Sequence, residues 1–133
     1  MLYMLDTNIC IYLIKQHPPE VLARMAGMRR GDVVMSVVSY AELRAGLEMQ
    51  TMHRQRDEQV LGMLTQRIPV LPFDESAAEC YGVLRSAVRD RKRNALDRLI
   101  AAHARSLDVT LVTNNENDFI AYPELRVENW VNS

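Results

Sequence analysis

Three short runs of apolar residues, at 2–5, 33–35 and 109–112, constrain this chain more than any other feature. A strand with one wet face alternates apolar and polar residues. A strand that is apolar throughout is covered on both faces, as in a parallel sheet packed between helices. The segments between the runs carry helical signals. One helix is expected from Asp6-Thr7-Asn8 to about Gln16, where His17-Pro18-Pro19 breaks it, and a second, short one to Ala26. Gly31-Asp32 reads as a turn. Tyr40, Leu43 and Leu47 recur at helical spacing, as do Val60, Leu61 and Leu64 within a helix expected over 54–66. Ile68-Pro69-Val70-Leu71 reads as a short strand whose proline puts it at an edge or a strand start. Asp74 caps a long helix with the apolar stripe Ala77, Tyr81, Leu84 and Val88. A further helix covers 95–106, and Leu125-Arg126-Val127 is a last short strand.

Strands alternating with helices pair in parallel through right-handed crossovers. The expected architecture is an α/β three-layer sandwich, a mainly parallel central sheet flanked by helices, and 133 residues fit one such domain over 1–133. In these sheets the functional crevice lies beyond the carboxyl ends of the strands. Asp6 follows the first strand. Ser36 and, further along the next helix, Glu42 follow the second. Thr113, Asn114, Asn115 and Asp118 follow the third apolar run, and the helix leading into that run opens with Asp97.

Each acid has a plain structural reading. Asp6 can N-cap the first helix, Ser39-Tyr40-Ala41-Glu42 has capping-box spacing, Asn94-Ala95-Leu96-Asp97 has a similar one, and Asp118 can end a loop. Taken singly, these readings are the better ones. Together they leave unexplained why four caps share one end of one sheet. Gathered carboxylates repel one another and hold their protons unless a cation sits among them. Mg²⁺ or Mn²⁺, hard ions that take oxygen ligands and keep part of their water, are the natural compensators. Two such ions about 4 Å apart can activate a water and stabilise the leaving oxygen of a phosphodiester. The residues alone point to phosphoryl or phosphodiester chemistry.

Other function classes find little support. No apolar run approaches the roughly 18 residues of a membrane span, and the first residues lack the basic stretch of a signal peptide. A cytoplasmic protein without a membrane role is expected. Cys10 and Cys80 form no C-x-x-C pair and read as buried thiols of a reducing compartment. Eight methionines read as core or subunit-contact filler. His103 reads as packed or hydrogen-bonded within its helix, and His17 and His53 as surface residues. There is neither a Ser-His-Asp order nor a glycine-rich phosphate loop. A formal charge of −1 argues against a polyanionic partner, but setting four clustered acids aside leaves +3. Fourteen of the 16 basic residues are Arg, the better phosphate clamp. The run Arg89-Asp90-Arg91-Lys92-Arg93 is either a solvated helix end or a rim in which Arg89, Arg91, Lys92 and Arg93 hold an RNA or DNA backbone beside Asp97.

In order along essentially the whole chain, four stretches resemble the PIN-domain ribonucleases, and more narrowly the VapC toxins of bacterial toxin–antitoxin pairs. They are Met4-Leu5-Asp6-Thr7-Asn8, then Ser36-Val37-Val38-Ser39-Tyr40-Ala41-Glu42-Leu43-Arg44-Ala45-Gly46, then Leu96-Asp97-Arg98-Leu99-Ile100-Ala101-Ala102-His103-Ala104, then Val112-Thr113-Asn114-Asn115-Glu116-Asn117-Asp118-Phe119. The resemblance implies a PIN-like fold and a Mg²⁺- or Mn²⁺-dependent endoribonuclease acting as the toxin of a type II pair. Asp6, Glu42 and Asp97 would be the core metal ligands and catalytic acids, with Asp118 a further one. Thr7, Asn8, Thr113 and Asn115 would be polar supports. It also implies a homodimer, a VapB-type antitoxin whose C-terminal segment covers the acidic site, and a structured RNA substrate. That substrate is chiefly tRNA, with the anticodon stem-loop of initiator or elongator tRNA the first choice. Hydrolysis by an activated water would leave 5′-phosphate and 3′-hydroxyl ends.

Two positions depart from the family pattern. Asn115 stands where many PIN domains have another Asp, and Asn94 stands where relatives often have a Gly-containing turn. Asn115 favours a rival reading, a PIN-like module that binds RNA or protein without cutting. A phosphatase-like domain would want a second Asp where Asn8 stands, and a receiver-like domain a lysine after a late strand.

Overall fold

The strands are short enough to be followed residue by residue. In the computed structural model, which describes residues 1–50, 52–88 and 95–131, they are β1 (Tyr3–Leu5), β2 (Val33–Ser36), β3 (Val70–Leu71), β4 (Thr110–Val112) and β5 (Val127–Glu128). All pair in parallel in the order β3-β2-β1-β4-β5, so the first strand in the chain is the central one. Met4 lies beside Val34 and Leu111, and Leu5 beside Met35 and Val112. The helices are α1 (Thr7–Lys15), α2 (Pro19–Ala26), α3 (Val37–Met49), α4 (Arg54–Arg67), α5 (Glu75–Ala87) and α6 (Ala95–Ser106).

Because successive strand residues face opposite ways, the sheet separates two cores. Leu5, Val33, Met35 and Val112 pack with Ile9, Val21, Leu43 and Leu61 of α1–α4. Met4, Val34 and Leu111 pack with Leu84 of α5 and with Ile100, Ala101, Ala102 and Ala104 of α6. The alanines keep the packed side of α6 thin and let it lie close to the sheet. The three layers and the parallel sheet are those the apolar runs implied.

Boundaries shift where tertiary partners decide them. Ile68 closes α4 through its N–H to the Leu64 carbonyl (2.8 Å) and is fully buried. Pro69, with no N–H, offers only its carbonyl, to Met35 (3.0 Å). The edge strand β3 therefore begins at Val70. The last strand lies at 127–128 rather than 125–127, because β4 sets Leu111 against Val127 and Val112 against Glu128. Val88 is the C-cap of α5, its N–H bonding the Leu84 carbonyl, and its side chain packs on the same core as Tyr81 and Leu84. Gly31 has φ +95°, a conformation open to glycine and strained for other residues, as the Gly31-Asp32 turn requires. Cys10 is buried and Cys80 half-buried; His17 and His53 are exposed. Met4, Met25 and Met35 fill the cores, whereas Met49, Met52 and Met63 stand exposed. Among the described residues no helix is long and apolar enough to cross a membrane. Arg89, Arg91, Lys92, Arg93 and Asn94 lie outside the described residues.

The C-terminal strand is secured by one aromatic side chain. Trp130 is fully buried and stands edge-on to Tyr3 of β1 at 5.4 Å. Its indole N–H donates to Glu128 (3.2 Å), and the Arg24 guanidinium of α2 lies 5.2 Å from its ring while pairing with the same glutamate. Trp130→Ala is expected to lower unfolding free energy by about 3–5 kcal/mol. Arg24→Gln should lower it by only about 1 kcal/mol, since its partner is partly solvated. Urea unfolding of the two variants checks both values.

Candidate active site

The site begins at the end of the central strand. The Asp6 backbone N–H bonds the Val112 carbonyl (3.0 Å), continuing the pairing of β1 with β4. Its carboxylate turns into the first turn of α1 and accepts from the Ile9 N–H at 2.9 Å, so the expected N-cap is present. It also accepts from the Thr113 hydroxyl. Thr113 is itself fixed: fully buried, it takes the Asn115 N–H on its Oγ1 (3.0 Å) and gives its own N–H to the Glu128 carbonyl (3.0 Å).

Glu42 does not close a capping box. The strand β2 runs straight into α3, so Ser36, three residues ahead of Ser39, takes the cap by accepting the Val38 N–H at 3.1 Å. Ser39 then lies inside the helix, fully buried, with no hydrogen-bond partner for its hydroxyl. Glu42 instead accepts from the Thr7 hydroxyl at 2.6 Å, a bond that joins α1 to α3 across 35 residues of chain. Asp97 sits in the first turn of α6, and Asp118 ends a 3₁₀ turn, Glu116–Asp118, that follows β4. Asn8 and Asn115 are exposed, and Asn115 serves the site through its backbone N–H. Asn114 donates to the Tyr12 hydroxyl (3.1 Å), tying the loop after β4 to α1. Tyr12 carries no motif, and its part could not be foreseen from local pattern.

The acids sense one another. Burial pushes the Asp6 carboxyl up to about 6; the bonds from Thr113 and Ile9 oppose the rise, and the charges of Asp97 and Glu42 add to it. The Asp97 carboxyl is also raised, by burial first and then by Glu42 and Asp118. Asp6, Glu42 and Asp97 therefore form one electrostatic unit, with Asp118 joined to it through Asp97. Among the described residues no three His, Cys, Asp or Glu side chains are drawn together tightly enough to grip an ion unaided. One Glu42 oxygen is held by Thr7. That is an open site, suited to an ion that keeps several waters and takes one or two carboxylates. Its donors are carboxylate oxygens, a hard set that fits Mg²⁺ or Mn²⁺ and not zinc. Beside Glu42 a cleft of about 740 Å³ opens between α1, α3 and α4, lined by Ile11, Ile14, Leu47 and Val60.

Residues 3–125 match the family model described as PIN domain. The chain belongs to the PIN-domain family. Within it, the chain is similar to the tRNA(fMet)-specific endonuclease VapC of Shigella flexneri, 38% identical over 130 residues, covering 96% of this chain and 97% of that one. Ribonuclease VapC2 of Rickettsia felis is 32% identical over 133 residues, with 98% of each chain covered. Among solved structures, DNA-bound VapBC from Salmonella typhimurium superposes with a TM-score of 0.88 at 32% identity, covering 98% of this chain and 99% of that one. This PIN domain is thus a member of the VapC ribonucleases.

The raised Asp6 pKa makes a stability prediction. A group that holds its proton more tightly when folded favours the fold below its unfolded pKa, about 4, and loses that contribution as pH rises through about 6. Asp6→Asn keeps a side-chain acceptor for Ile9 and removes the charge. In chelated buffer it should be more stable than the parent at pH 8 by about 2–3 kcal/mol, and alike at pH 4. Urea unfolding at the two pH values checks the gain and its sign.

Proposed function

We propose that this VapC-family protein is the toxin of a type II toxin–antitoxin pair, and that it hydrolyses tRNA with Mg²⁺ or Mn²⁺ through Asp6, Glu42, Asp97 and Asp118. One observation carries the reading: a buried carboxyl at the end of the central strand lies in the field of two further acids from two different helices. Such an arrangement is costly for a fold and useful for holding a cation.

Asp6, Glu42 and Asp97 would hold the ion, whose positive charge, when bound, keeps these acids ionised and offsets charge developing on the phosphodiester. Thr7 orients Glu42, and Thr113 orients Asp6. Asp118, exposed beside Asp97, is the acid assigned to orient the attacking water. Water adds to phosphorus and the ribose 3′-oxygen leaves, giving 5′-phosphate and 3′-hydroxyl ends. Asn115 holds Thr113 through its backbone N–H, as an Asp would, and leaves the four acids named above to supply the negative charge.

A VapB-type antitoxin is the proposed partner, and a homodimer the proposed assembly. The cleft lined by Ile11, Ile14, Leu47 and Val60 together with Glu42 and Asp57 would accept a partner segment that carries apolar side chains and a basic residue. Initiator tRNA is the first substrate to try, because it is the one named for the Shigella relative. Antitoxin-free protein with Mn²⁺ should cut tRNA into discrete fragments bearing ligatable 5′-phosphates. EDTA should stop the reaction, and Asp97→Asn should slow it at least about a hundredfold. A 2′,3′-cyclic phosphate on the fragments would overturn the mechanism; bound but uncut RNA would establish a binding module instead.

A further inference from the structure

Glu42 and Asp97 ride on different helices, and the separation of those helices fixes the separation of the acids. One buried polar contact joins them. The Ser36 hydroxyl, at the N-cap of α3, lies 2.8 Å from Nδ1 of His103 on α6. Both residues are buried, at 0% and 1% exposure. The ring is held on its other sides as well. It donates to the carbonyl of Pro72, and Phe73 stands edge-on to it at 5.4 Å. With its one N–H used on Pro72, a neutral imidazole leaves Nδ1 to accept from Ser36. Ser36 in turn accepts from the Val38 N–H (3.1 Å), so each polar atom of the chain of bonds has a partner.

The spacing of this contact from the acids is the same on both helices. Glu42 lies six residues beyond Ser36, and Asp97 lies six residues before His103. Six residues are about 9 Å along a helix axis. At that radius a tilt of about 10° at the contact would displace a carboxylate by about 1.6 Å, enough to spoil a coordination geometry that tolerates only a few tenths of an ångström. Against the sheet α6 presents Ile100 and the small Ala101, Ala102 and Ala104, which fix its closeness to the sheet better than its tilt toward α3.

We propose that His103 is a positioning residue whose bond to Ser36 sets the distance between Glu42 and Asp97, and thereby the affinity of the acid cluster for a divalent cation. The inference rests on the metal-site reading given above.

Calorimetric titration of the full, antitoxin-free and RNA-free chain with Mn²⁺ tests it, with melting temperatures recorded beside each affinity. His103→Asn keeps an acceptor for Ser36 and gives up Pro72. His103→Gln does the reverse. Ser36→Ala removes the contact from the other side together with the α3 cap, and Phe73→Leu loosens the packing of the ring while sparing its bonds. Mn²⁺ binding should weaken about tenfold in His103→Gln and Ser36→Ala, the lower end of what loss of an outer partner does to a metal site. It should stay within about twofold of the parent in His103→Asn and Phe73→Leu, although both melt earlier. If Ser36→Ala does not fold, the Asn and Gln variants of His103 decide. Unchanged affinity in His103→Gln, or losses that simply follow melting temperature across the set, would overturn the inference alone. A parent protein that binds no Mn²⁺ would overturn the metal-site reading and the inference with it.

Discussion

Asp6 is held out of water at the one place in the sheet where three elements converge, and most of the surrounding structure answers to that carboxyl group. Its oxygens accept from the first turn of α1 and from Thr113, while Glu42 and Asp97 repel it. A parallel sheet makes the convergence unavoidable. All five strands end on the same side, and α1, α3 and α5 begin directly after β1, β2 and β3, bringing partly positive helix N-termini to that edge. Asp6 caps α1 and Asp97 lies in the first turn of α6. The fold thus supplies part of the positive field that clustered carboxylates need, and leaves the remainder to a cation.

The same site straddles the two cores. Asp6 and Glu42 belong to the side built by α1–α4, and Asp97 to the side built by α5 and α6. Arg98, the neighbour of Asp97, is buried and bonds Tyr81 of α5 and Tyr122 beyond the 3₁₀ turn. On α6, then, one residue presents an acid to the site and the next anchors the helix in the opposite direction. His103, about one and a half turns on, ties it to α3. The acids themselves are poorly suited to holding these layers together, since they repel, and neutral or cationic side chains do it for them.

Much of this was legible in the sequence, and what was not has identifiable causes. Short, mainly apolar runs announce a covered, parallel strand, so the sheet and its layers could be read from 2–5, 33–35 and 109–112, Thr110 being the one polar residue among them. Asp6, Glu42, Asp97 and Asp118 were marked by falling at one edge of that sheet. The edge strands slipped by about two residues because their ends are set by pairing, which local pattern does not carry: Pro69 and the pairing of Val112 with Glu128 decide them. Ser39-Tyr40-Ala41-Glu42 has the spacing of a cap, yet the helix has already begun at Val37, where Ser36 caps the Val38 amide. The contact between Ser36 and His103 spans 67 residues, and that of Tyr12 with Asn114 spans 102. Neither leaves a trace in the residues beside it.

The central place of β1 has a consequence for the order in which the chain is made. Chains emerge from the ribosome N-terminus first, and their early segments begin to fold while the rest is still being made. Asp6 emerges ahead of the other site residues, but its strand gains its second neighbour only with Thr110–Val112. The threonine that orients Asp6 is held in turn by the carbonyl of Glu128. The acid at the end of the first strand is therefore completed by backbone made after every other strand, and a growing chain holds no finished site until that backbone is in place.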